Sequence, residues 1–138
     1  MDAEEKRVTM ILVIDDNAMI RSTIRDFLIL NDPECLVLEA ANGEEGLALA
    51  HTEKPDLIIL DAVMPEMDGY AVARHLRDEP DTQHIPLIAI STVFHRNPVA
   101  ASLRDLSDAS LSKPFSISDL LTAVATVSPK MRPTSPTG

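Results

Sequence analysis

Three short, almost unbroken apolar runs constrain this chain more than any other feature: TMILVI at 9–14, DLIIL at 56–60 and PLIAIS at 86–91. Each has the length of a strand and too few polar residues for a strand with one wet face. Strands of that kind are buried on both faces, as in the middle of a parallel sheet. CLVLE (35–39) and ASLS (109–112) are more polar and suit the edges of the same sheet.

Helical patterns fill the intervals. Ile20, Ile24, Phe27 and Leu28 form one stripe over 18–30, and Ile117, Leu120, Leu121 and Val124 repeat that spacing over 116–127. Weaker patterns cover 43–52, 68–78 and 98–106. Asn42 and Asn97 suit N-caps, Pro98 suits a first helical position, and Ser116 with Asp119 resembles a capping box. The order is βα repeated five times. Right-handed crossovers then require a parallel sheet with helices on both faces. The expected fold class is α/β: a flavodoxin-like, doubly wound (βα)5 domain with a five-stranded parallel sheet in the order 2-1-3-4-5. Its expected bounds are 8–127. Residues 1–7 are a short extension, and SPKMRPTSPTG (128–138) reads as a flexible Pro/Ser/Thr-rich tail.

Composition narrows the function classes. A chain of 138 residues is one domain's worth and needs no disulfide or structural metal to fold. Aromatics are 3% and Trp is absent, so the core must be aliphatic. Cys35 is the sole cysteine, which excludes an intrachain disulfide and a Cys-based zinc site. It reads as a buried structural thiol. His51, His75, His84 and His95 are scattered without ligand spacing and read as surface residues. A formal net charge of −10 repels phosphate backbones and argues against direct nucleic-acid binding. No apolar stretch approaches a membrane span, and MDAEEKR is too acidic for a secretory signal. The expected location is cytoplasmic.

In a doubly wound sheet, ligands bind beyond the carboxyl ends of the strands where strand order reverses, here between the first and third strands. Asp15 and Asp16 follow the first strand, and Asp61 ends the third. Three converging carboxylates repel one another, by on the order of 4 kcal/mol per pair at 4 Å and an effective dielectric near 20. Either some stay protonated or a cation sits among them. Oxygen-only ligands suit Mg²⁺. Asp15 or Asp16 could instead cap the first helix. Lys113 leaves the fifth strand at the same edge, ahead of Pro114, and could pair with Asp61 or with a phosphoryl oxygen; a cis Lys113–Pro114 bond would suit that placement. Ser91 ends the fourth strand as a hydroxyl donor or as a satisfied strand-end group. A carboxylate nucleophile, a cation, a lysine and a hydroxyl around one crevice make a phosphoryl-transfer site whose product is an aspartyl phosphate.

VIDDN, LDAVMPEMDGY, Ser91 and SKPF, in that order and each at a strand end, resemble the receiver domains of bacterial response regulators over about residues 8–127. The chemotaxis-type, single-domain receivers are the nearest in form. The resemblance implies Asp61 as phosphoacceptor. It implies a metal ion, Mg²⁺ or Mn²⁺, held by Asp16 and Asp61, by the backbone carbonyl of Val63, and by Asp15 through water. It places Ser91, Thr92 and Lys113 around the phosphoryl group. It also implies a histidine kinase or histidine phosphotransfer protein as donor, an unidentified protein target, and no catalysis beyond the domain's own phosphorylation and dephosphorylation. Three positions depart from the family pattern. Ser110 stands where Tyr or Phe is frequent, Thr92 where Ala or Gly is usual, and Leu106 or Ser107 where Gly often precedes the fifth strand. Val63 and Val93 flank the expected path of hydrolytic water and cannot orient it, which implies slow autodephosphorylation.

Two other functions compete. One is a Mg²⁺-dependent aspartyl phosphatase of the haloacid dehalogenase type, but Asn17 and Ala18 follow Asp16 where that chemistry wants Asp-x-Asp. The other is a pseudo-receiver, a binding module that keeps the fold without phosphorylation. The altered Ser110 and Leu106 region favours it, and the intact Asp16, Asp61 and Lys113 set opposes it.

Overall fold

The computed structural model describes residues 9–127; the extension at 1–7 and the tail at 128–138 lie outside them. Five strands alternate with five helices. They are β1 (Met10–Ile14), α1 (Ala18–Asn31), β2 (Leu36–Ala40), α2 (Gly43–Glu53), β3 (Leu57–Asp61), α3 (Gly69–Asp78), β4 (Leu87–Ser91), α4 (Pro98–Leu106), β5 (Ala109–Ser112) and α5 (Ile117–Val127). The strands form one parallel sheet in the order β2-β1-β3-β4-β5, the flavodoxin-like arrangement.

Burial follows the apolar pattern. Every residue of β3 and β4 is buried, whereas β2 and β5 are mostly half-buried or exposed, as edge strands are. Alternate side chains along each central strand enter different layers. Ile11, Val13, Ile59 and Ile90 pack with Ile24 and Leu28 of α1 and Leu120 and Val124 of α5. Leu12, Ile14, Ile58 and Leu60 face the other way, onto Ala50 of α2, Val72 and Leu76 of α3 and Leu103 of α4. Fully burying one such aliphatic side chain stabilises the fold by roughly 1.5–3 kcal/mol, and truncating it to alanine costs about 2–5 kcal/mol.

The local signals hold with small shifts. β2 and β3 each begin and end one residue later than the apolar runs suggest, which places Asp61 inside the last pair of β3. Asn42 and Asn97 cap α2 and α4, and Pro98 occupies the first turn. Ser116 and Asp119 form a reciprocal capping box: Asp119 N donates to Ser116 Oγ at 3.0 Å, and Ser116 N donates to Asp119 Oδ2 at 3.3 Å. At the end of α4, where the resemblance would lead one to expect Gly, Ser107 keeps a negative φ of −104° and its hydroxyl donates to the Leu103 carbonyl at 2.7 Å. That bond closes the last turn without a left-handed residue.

Cys35 is buried in the loop before β2, and its thiol lies 3.7 Å from the Leu28 carbonyl. Burial, then the neighbouring Asp32 carboxylate, raises its pKa. Among the described residues, no helix is long and apolar enough to cross a membrane.

Candidate phosphoryl-transfer site

β3 and β4 end in Asp61 and Ser91, and Asp15 and Lys113 directly follow β1 and β5, so the four meet at one edge of the sheet although up to 98 residues separate them. Asp15, Asp16 and Asp61 each offer a carboxylate oxygen within 4.8 Å of the other two. Asp15 and Asp61 are buried, while Asp16 is exposed.

Which of three adjacent polar residues caps α1 is resolved in favour of Asn17. Its side-chain oxygen accepts from the backbone N of Met19 at 2.9 Å and of Ile20 at 3.1 Å. Neither Asp15 nor Asp16 is consumed in capping. Asp15 Oδ1 accepts from Asn17 N at 2.9 Å, and its other oxygen accepts from Lys113 Nζ at 3.0 Å.

Lys113 also reaches Asp61, with Nζ 3.2 Å from Oδ1. Burial pulls the ammonium's pKa down, but the charges and hydrogen bonds of Asp61 and Asp15 more than offset it and hold the pKa above its ordinary value. The Lys113–Pro114 bond is cis. Asp61 behaves in the opposite sense for an acid. Burial, then the Asp15 charge, pushes its pKa up to about 6, against the stabilising pull of Lys113. One lysine therefore faces three carboxylates. The excess negative charge and the all-oxygen donor set fit a hard divalent cation such as Mg²⁺ or Mn²⁺, and the exposed Asp16 leaves room for its waters.

Ser91 is buried, and its Oγ accepts from Val93 N at 3.0 Å. Its proton has no acceptor among the described residues, so one donor remains unspent. Thr92 is exposed beside it, and Val63 is 49% exposed at the rim. Ser110 is exposed on β5, opposite Ala89, with no aromatic ring at that position.

Two further residues shape the site. Gly69 opens α3 behind its Asp68 cap, and a Cβ there would collide with the Asp61 carbonyl and come within 2.9 Å of Ala62 Cα. Only glycine lets α3 start so close to the strand that carries Asp61. Arg21 donates from Nη1 to the Asp15 carbonyl at 2.6 Å. Gly69 was legible as a residue of the DGY segment. Arg21 carried no signal beyond its place off the apolar stripe of α1.

Residues 11–125 match the family described as "Response regulator receiver domain". Among curated proteins, the chain is 39% identical over 117 residues to the probable transcriptional regulator ycf27 of Porphyridium aerugineum, covering 85% of this chain and 47% of that protein. It is 35% identical over 114 residues to the nitrate/nitrite response regulator protein NarL of Escherichia coli K12, covering 83% and 52%. The chain thus spans about half the length of the curated relatives it matches. Among solved structures it resembles the chemotaxis protein CheY4 of Vibrio cholerae, with a TM-score of 0.76, 28% identity and coverage of 88% of this chain and 99% of that one. The signal receiver domain of a histidine kinase from Syntrophus aciditrophicus matches with a TM-score of 0.76 and 28% identity, over 94% and 96%. The acidic crevice, the sheet order and these matches agree: the chain belongs to the response regulator receiver domain family.

Proposed function

We propose that the chain is a phosphorylation-dependent signalling switch that accepts a phosphoryl group on Asp61 from a histidine kinase or histidine phosphotransfer protein. The observation that carries this reading is the position of Asp61: a nearly buried carboxylate at the end of a central strand, 3.2 Å from Lys113 and beside two more carboxylates. With its pKa near 6, Asp61 is largely ionised at neutral pH and available as a nucleophile.

A carboxylate oxygen of Asp61 attacks phosphorus. The bond from phosphorus to the donor's imidazole nitrogen breaks as the new O–P bond forms, and its electron pair leaves with the donor. Lys113 already contacts Asp61, so its ammonium is placed to follow the charge onto a phosphoryl oxygen. Ser91 supplies the unspent hydroxyl donor, and Thr92 follows it at the rim. Mg²⁺ or Mn²⁺, held by Asp16, Asp61, the Val63 carbonyl and, through water, Asp15, would neutralise charge on the transferred oxygens. Val63 and Val93 present no group that can orient a hydrolytic water, so the adduct is expected to persist for minutes. The output runs through protein contact in the cytoplasm, with a target the site itself does not specify.

The test is intact-mass measurement after incubation with acetyl phosphate, with and without Mg²⁺, beside an Asp61→Ala control. The expected result is one phosphoryl adduct that requires Mg²⁺, is absent from the variant and decays over minutes. A folded chain that takes up no phosphoryl group from an excess of donor, nor from any histidine kinase supplied in phosphorylated form, would instead be a binding module on the same fold.

A further inference from the structure

We infer that Arg21 is a positioning residue for the acidic site: by holding the Asp15 carbonyl, it sets the Asp15–Asp16 peptide and so aims the exposed Asp16 carboxylate at a divalent cation. The inference rests on the metal-dependent reading above.

Asp15 is fixed at every other polar atom. Its backbone N donates to Ala40 O at 3.1 Å, Oδ1 accepts from Asn17 N at 2.9 Å, and Oδ2 accepts from Lys113 at 3.0 Å. Asp16 differs. Its side chain is exposed and makes no hydrogen bond or ion pair among the described residues, so the backbone alone restrains the point from which its carboxylate reaches out. The peptide between the two is planar, and fixing its oxygen fixes the direction in which the Asp16 Cα leaves. The group that fixes it is the Arg21 guanidinium, through a short charge-assisted bond of 2.6 Å. Arg21 rises from the first turns of α1, and its side chain is only 16% exposed.

A guanidinium held at the Asp15 carbonyl and left without a counter-charge would be drawn toward the site carboxylates and compete with a cation. Glu39 removes that competition. It accepts from Arg21 Nε at 3.0 Å and from Arg25 at 3.3 Å, and it sits on β2 opposite Val13 of β1. Arg21 is thereby held away from the crevice by its charge while one nitrogen still reaches the Asp15 carbonyl.

The test titrates the full chain with Mg²⁺ by calorimetry and measures amide exchange of Asn17 in Mg²⁺-free protein, with thermal stability followed in parallel. Arg21→Met keeps the aliphatic stem and removes the donors. It is expected to weaken Mg²⁺ binding by about tenfold and to speed exchange at the Asn17 amide, which donates to Asp15 Oδ1, with Arg21→Lys recovering part of each. A merely structural role would lower stability and leave affinity within about twofold of the parent, and that result overturns the inference. If Arg21→Met does not fold, Glu39→Gln decides: releasing the guanidinium from its counter-charge must weaken Mg²⁺ binding, most at low salt, and unchanged affinity overturns the inference. A parent that binds no Mg²⁺ at millimolar concentration overturns the positioning role and the metal-dependent reading together. A parent that binds normally beside an unaffected variant overturns the positioning role alone.

Discussion

Each end of the sheet holds a mostly buried cation, and the two are used differently. At the carboxyl end, Lys113 pairs with Asp15 and Asp61, Asp16 adds a third carboxylate beside them, and the charge does not balance. At the amino end, Arg77 of α3 lies beside an open recess of about 620 Å³ lined in part by His84, Asp105 and Asp108. Its guanidinium donates to the carbonyls of Gln83, Ile85 and Leu106 and to the Asp108 carboxylate, at 2.7–3.2 Å. Asp108 in turn accepts from Leu87 N at 2.9 Å, so one carboxylate answers one cation and the donors are spent. The open recess is thus the satisfied one. A buried cation does not mark a reactive site by itself. What marks it is charge left over after the local hydrogen bonds have been made.

The contrast predicts different failures. Lys113→Met should cut the rate of phosphoryl transfer from acetyl phosphate by about a hundredfold at saturating Mg²⁺, because it removes the cationic donor that contacts Asp61. A rate within about threefold of the parent would show that the unbalanced end does not depend on its lysine. Arg77→Met should reverse the pattern. It orphans several carbonyls and should lose about 2–4 kcal/mol in urea unfolding, while the transfer rate at saturating Mg²⁺ stays within about twofold. An equal loss of transfer would mean that the two ends are coupled.

Asp61→Asn sharpens the comparison further. Burial and the Asp15 charge raise the Asp61 pKa to about 6 from an ordinary value of 3.8, so ionising it costs the folded state more than the unfolded one. That cost is absent below the ordinary value, grows as pH rises from about 4 to about 6, and is complete above it. The amide should therefore stabilise the Mg²⁺-free protein by about 1–3 kcal/mol at pH 7, with the gain shrinking as pH falls through 6 and vanishing below 4. Denaturation curves at several pH values check this; a gain that grew on acidification would contradict the sign.

Much of the fold was legible because its three central strands are buried on both faces, which leaves almost no polar residue in TMILVI, DLIIL and PLIAIS. The edges were legible for the converse reason. The cap of α1 was not. Asp15, Asp16 and Asn17 are all good caps, and only the demand of the crevice for carboxylates leaves the task to Asn17. Lys113 and Asp15 lie 98 residues apart, so their contact follows from topology and no local pattern could show it. Arg21 was invisible for a similar reason: helix periodicity places it off the apolar stripe, and its partners come from the β1–α1 turn and from β2. The acidic residues were found by type and position, whereas the residues that orient them are ordinary surface types placed by tertiary structure.

The sheltered sulfur of Cys35 gives the molecule an internal clock. With 8% of its surface accessible and its pKa raised, the thiol should resist alkylating reagents while the fold is closed. Reagent consumption then counts openings of the segment between α1 and β2. Because no other cysteine competes, the count needs no engineered probe and can be taken on the unaltered chain, before and after phosphoryl transfer.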